Sequence, residues 1–158
     1  MPAQNAQGKM GDKAMEMLGL FGILGYFSFR DMKERQIGLV PLVLSAIAGL
    51  VFHLWYGRIS IWNLLGGICI GLCLYVVSVI SHEKIGKGDA LLLAVTGIFL
   101  GFWDNLILLW IASLLAVVAG GMAMVFFHKE RHFELPFIPC IFIGFVMYLS
   151  MQHMGGLS

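Results

Sequence analysis

Two aspartates stand out in a chain with few charges. Asp89 closes the stretch KIGKGD and is followed at once by an apolar run, while Asp31 follows the first apolar run of the chain, in FSFRDMKE. A charge at the centre of a lipid-crossing helix costs roughly 2.5 to 3.5 kcal/mol on insertion scales, so an acid at or just inside a membrane boundary is a candidate for function. Asp89 also fits a plainer role, as a cap accepting backbone N–H bonds at the positive end of a helix. Two carboxyls at one depth have a chemistry that a cap lacks. Like charges a few ångströms apart cannot both ionise cheaply, so such a pair can share a proton and hold a water between them. One carboxylate then draws a proton from that water as it attacks a carbonyl carbon, while the protonated partner donates to the carbonyl oxygen.

The surroundings of the two acids are those of a membrane protein. Of 158 residues 59% are hydrophobic and only 12% charged, with a mean hydropathy of +0.89, which excludes an ordinary soluble domain. Six apolar runs follow one another: Met15 to Phe29, Ile37 to Tyr56, Ile61 to Ile80, Ala90 to Trp103, Leu106 to Phe127 and Leu135 to Met151. Most approach the ~20 residues that a spanning helix needs, and none alternates as a barrel wall does. An all-α fold is expected, a bundle of about six transmembrane helices forming one domain over residues 14–158, behind a polar tail at 1–13. The glycines at 67 and 71, and at 97 and 101, have the spacing that lets helix backbones approach closely, and Gly19, Gly22 and Gly25 punctuate the first run. Trp55, Tyr56, Trp62, Trp103 and Trp110 fall mostly near run ends, as interfacial anchors do.

Arg30, Lys33, Arg35, Lys84, Lys87, Lys129 and Arg131 lie in the first, third and fifth connections, against Lys9, Lys13 and Arg58 on the other side. The positive-inside rule puts the odd connections in the cytoplasm and both termini outside. Asp31 ends the first run and Asp89 precedes the fourth, so both face the cytoplasmic boundary. No basic run suggests nucleic acid, and the net charge of +1 names no partner.

Three patches resemble the type IV prepilin peptidases, membrane aspartic proteases that include the archaeal preflagellin peptidases: FSFRDMKERQI around Asp31, IGKGDALLLAVTGIFLG around Asp89, and ELPFIPCIFIG near the last run. The second matches the GxGD signature through Gly86, Gly88 and Asp89, and the third matches a proline-containing segment through Glu134, Leu135, Pro136, Phe137 and Pro139. The resemblance covers about Phe27 to Gly144. It implies Asp31 and Asp89 as the catalytic pair, with Gly86, Gly88, Glu134, Pro136 and Pro139 shaping the site or touching substrate. It also implies cleavage of a short basic leader from a prepilin-like precursor at the cytoplasmic membrane face, without cofactor or metal. Leu91 stands where many members have Lys, and Gly38-Leu39 where they have Pro-Asn, differences that bear on subfamily and substrate preference. The cysteine-bearing insert associated with N-methylation in larger members has no counterpart, so peptidase activity alone is expected.

The remaining polar residues have plainer readings. Glu34, Glu83, Glu130 and Glu134 could steer a basic leader but suit solvated loops better, with Glu134 the one to raise because it directly precedes the Leu135 to Pro139 patch. Asp104 falls on the opposite side and reads as a turn or cap. His128 and His132 have helical metal spacing without a third ligand, and Cys69, Cys73 and Cys140 lie in apolar runs as small hydrophobes. Pro136 and Pro139 could interrupt the last helix and free backbone groups for an extended substrate. Two other functions fit the same acids. A small ion- or proton-coupled transporter would use intramembrane carboxylates, though the two halves show no self-similarity. A presenilin-like intramembrane protease shares the GxGD element.

Overall fold

The computed structural model describes residues 2–34, 38–56, 60–81, 86–127 and 137–155. They form five helices: α1 (Pro2–Glu34), α2 (Leu39–Tyr56), α3 (Ile61–Ile80), α4 (Lys87–Phe127) and α5 (Phe137–Gly155). α1 is continuous from Pro2 through the polar residues that composition suggests as a separate tail; Ala, Gln, Lys and Met in that stretch are good helix formers. The fourth and fifth apolar runs both fall in α4, which consists of two helical arms. The break between them is at Gly101, whose φ of 77° and ψ of −168° are non-helical. In a straight helix residues 93 and 105 would lie about 18 Å apart. Here the Asn105 side-chain amide donates to the Leu93 carbonyl at 3.1 Å, so the second arm folds back on the first with a single residue as the turn.

A break of this kind leaves N–H groups at the start of the second arm without helical partners, which is costly away from water. Asn63 of α3 supplies the first of the missing acceptors: its Oδ1 takes the Phe102 N–H at 2.9 Å. Elsewhere hydroxyls satisfy themselves inside their own helices, Ser45 on the Pro41 carbonyl at 2.8 Å and Ser150 on that of Val146 at 3.0 Å.

The first arm of α4 is the centre of the molecule. Ala90, Leu92, Leu93, Val95, Thr96, Ile98, Phe99 and Leu100 are all buried, so this helix is enclosed on every side. α3 lies against it at backbone contact: a Cβ on Gly67 would collide with the backbone of Gly97 and Gly101, and one on Gly71 with that of Ala94. Of the glycines with close-packing spacing, Gly67, Gly71 and Gly97 serve the α3–α4 contact. Gly19 and Gly22, which punctuate the first run, face open space. α2 meets the same arm where Gly49 approaches the Phe99 ring, and α5 packs on the second arm with Gly144 against Ala112. α1 leans on α5, through Phe21 and Phe142 with ring centroids 5.1 Å apart, and touches α4 more thinly.

The outside of this assembly is apolar. Leu54, Trp55 and Trp62 are about four-fifths exposed, and Val40, Val43, Val76, Trp110, Val117 and Val125 continue the surface. Exposed apolar area on this scale marks contact with lipid or protein. By length and composition Ile61–Ile80 and Lys87–Ala123 are apolar enough to cross a membrane, the latter as two arms folded at Gly101, and Leu39–Trp55 and Phe137–Gln152 are shorter apolar helices.

Candidate active site

Asp31 lies in the last turn of α1, inside the helix and not beyond it. Leu20, Leu24 and Phe27 precede it at helical spacing and are buried, so the carboxyl ends the buried stripe of α1 and is itself 9% exposed. A carboxylate at the C-terminal end of a helix opposes the helix dipole, so capping does not explain Asp31. Asp89 sits in the first turn of α4, where a carboxylate suits the dipole, and is half-buried. The two carboxyls are within electrostatic reach of one another. α1 and α4 thus deliver one acid each to the same end of the bundle.

Gly86 is the residue that lets Asp89 take its position. Its carbonyl accepts the Ala90 N–H at 3.3 Å and so opens α4, and a Cβ on it would stand 2.6 Å from Asp89 Oδ2. Gly88 is half-buried in the same first turn. A substitution Gly86→Ala is expected to push the Asp89 side chain aside while the bundle remains folded. If Asp89 reacts, a displacement of about 1 Å slows cleavage roughly 10²-fold, measurable as product formed per folded enzyme, with an unchanged melting temperature as control.

α5 contributes a residue that sequence reasoning takes only as a small hydrophobe. Cys140 is buried one turn into α5 and feels the charge of Asp89. Its place in the ELPFIPC patch is the signal that could have raised it. Pro139 does not interrupt α5: it occupies the first turn, where its missing N–H has no helical partner to lose. Glu134 and Pro136 lie outside the described residues, as do His128 and His132. Arg30, beside Asp31, donates from Nη1 to the Tyr26 hydroxyl at 3.0 Å and lies against Gly38 at the start of α2.

Asp104 is not near this pair. It hydrogen-bonds the Tyr148 hydroxyl, which also takes a bond from Gln152, in a polar cluster at the far end of α5. Asn105 and Thr96 are buried polar side chains outside the expected site, and they hydrogen-bond each other at 2.7 Å. Asn105 falls between the fourth and fifth runs, beside Asp104, where an amide reads as part of a turn, so nothing in the sequence marks it as an interhelical fastener.

This arrangement can do general acid–base chemistry on a bound water: two carboxyls in an apolar setting, held by different helices, with a glycine making room for one of them. No curated protein and no solved structure matches the chain. Residues 18–121, which include both aspartates and both arms of α4 as far as Gly121, match the type IV leader peptidase family. The match takes in most of α1, all of α2 and α3, and the GxGD turn, and on that extent the chain belongs to this family of membrane-embedded peptidases.

Proposed function

We propose that the protein is an aspartic endopeptidase that removes the leader from prepilin-like precursors at the cytoplasmic face of the membrane, with Asp31 and Asp89 as its catalytic pair. The observation that supports this reading is that those two carboxyls, from α1 and α4, lie within electrostatic reach of one another. A water held between them attacks the scissile carbonyl as one carboxylate takes its proton. The other carboxyl donates to the developing oxyanion, and the tetrahedral intermediate collapses as the leaving nitrogen is protonated. The pair titrates as a unit, so the proton belongs to both.

A leader rich in Lys and Arg approaches from the side that carries Glu34, Glu83, Glu130 and Glu134, which provide attraction at a distance. The apolar helix behind the leader stays in the bilayer, so cleavage falls at its cytosolic edge. Topology follows from the basic residues: the connections 30–36, 81–88 and 128–134 face the cytoplasm and Ser158 lies outside.

Co-expression with a pilin-like precursor tests the activity. The precursor should lose its leader, and the new N-terminus read by mass spectrometry should lie just before the apolar helix. Cleavage inside that helix would support a presenilin-like specificity, and proton flux in liposomes without cleavage would support a transporter. For topology, single cysteines at Glu34, Glu83 and Glu130, introduced after replacing Cys69, Cys73 and Cys140, should resist an impermeant thiol reagent until cells are lysed. A cysteine at Ser158 should label at once. Opposite labelling at Glu34 and Glu83 would put the two aspartates on different faces and end the proposal.

A further inference from the structure

Asn105 is wholly buried and every hydrogen-bonding group of its side chain is engaged. Nδ2 donates to the Gly67 carbonyl of α3 at 3.2 Å and to the Leu93 carbonyl of the first α4 arm at 3.1 Å. Oδ1 accepts from the Thr96 hydroxyl at 2.7 Å. One amide therefore ties together three pieces of chain: its own arm, the opposite arm, and α3. The tie sits where these pieces are closest, since a Cβ on Gly97 would stand 2.9 Å from Asn105 Nδ2 and collide with the Gly67 carbonyl.

The two residues of the first arm that Asn105 holds are not arbitrary. Leu93 and Thr96 follow Asp89 at i+4 and i+7, so all three lie on one stripe of the helix. Holding the stripe at Leu93 and Thr96 fixes both the depth and the rotation of Asp89, about 10 Å along the axis. A carboxyl about 5–6 Å from the axis moves by about 1 Å when the helix turns by about 10°. Misplacement on that scale costs about 10²-fold in rate. The opposing acid, Asp31, comes from α1, which touches α4 only thinly, so α1 does little to set the rotation of this arm. Asn63 supports the tie from the other side of the Gly101 break by accepting the Phe102 N–H.

We propose that Asn105, with Thr96 as its partner on the arm, is a positioning residue that aims Asp89 at Asp31. This rests on the reading of those two acids as the catalytic pair. A shape-matched apolar side chain fills the same volume but leaves the arm free to turn, so the loss should appear in turnover and not in substrate affinity.

The test uses the full chain in lipid nanodiscs and a synthetic precursor bearing a leader and its apolar helix. Asn105→Leu should lower kcat about 10²-fold with KM within about threefold of wild type. Thr96→Val should lower kcat about tenfold, and Thr96→Ser, which keeps the hydroxyl, should restore it. Leu108→Ala, buried in the second arm, serves as a comparison destabilised without touching the tie. Equal kcat loss per folded molecule in Leu108→Ala and Thr96→Val, or Thr96→Ser as slow as Thr96→Val, overturns the proposal. Should Asn105→Leu fail to fold, the Thr96 pair decides alone. Asp89→Ala is run alongside: if it cleaves as wild type does, the catalytic reading falls and this one with it.

Discussion

Asp89→Asn is expected to stop leader removal, and Asp31→Asn to do the same, each lowering the rate by at least about 10³-fold. Asparagine fills the same space and keeps hydrogen bonds, so the protein should accumulate and melt as wild type does. What it lacks is the ability to take or give a proton, and general acid–base catalysis is worth up to about 10⁴-fold per group. The double variant should be no slower than the slower single one, because the two acids act on one water and removing either disables the unit. The measurement is precursor and product quantified by mass spectrometry against folded enzyme. If the two losses multiply, the acids work independently and no shared water links them. If either variant cleaves near the wild-type rate, that aspartate is not catalytic.

Gly97→Ala is expected to be strongly destabilising, as are Gly67→Ala and Gly71→Ala, whose added carbons also meet backbone. At Gly97 the added carbon would collide with the Gly67 carbonyl, which is backbone and cannot swing aside as a side chain can. Overpacking costs about 1–3 kcal/mol even where side chains can give way, and here two helices must separate along the line where Asn105 joins them. For a chain of this size about 3 kcal/mol corresponds to a melting temperature lower by about 6–12 °C. Gly22→Ala is the matched comparison, because nothing lies within 4 Å of its added carbon; it should change stability by no more than about 0.5 kcal/mol. Thermal unfolding of both in one detergent decides it, and equal melting temperatures would show that α3 and the first α4 arm do not meet at backbone contact.

The two aspartates stand out in the sequence because acids are rare beside apolar runs, and their places after the first run and before the fourth suggest one end of the bundle. The α3–α4 contact was legible from the spacing of Gly67 and Gly71, whereas Gly19 and Gly22, which lack that spacing, face open space. Spacing says that a close approach is possible and not which neighbour uses it. From sequence the break between the fourth and fifth runs falls a few residues late, at Asp104 and Asn105, because Gly101 reads as one more packing glycine. The chain in fact reverses before those residues, using a backbone conformation open only to glycine and an acceptor from Asn63, which is 39 positions from Phe102. Partners that distant in sequence leave no periodic trace. Cys140 was hidden for a related reason: the charge it feels belongs to a different helix.

On the proposed reading, the way α1 is attached decides when the catalytic pair can first act. α3 and the two arms of α4 are consecutive in the chain and can join without α1 or α5. α1 carries Asp31 but rests mainly on α5, which lies beyond α4 in the chain. Asp31 is therefore supported beside Asp89 only once α5 has docked, and a chain lacking α5 is expected to insert without proteolytic capacity.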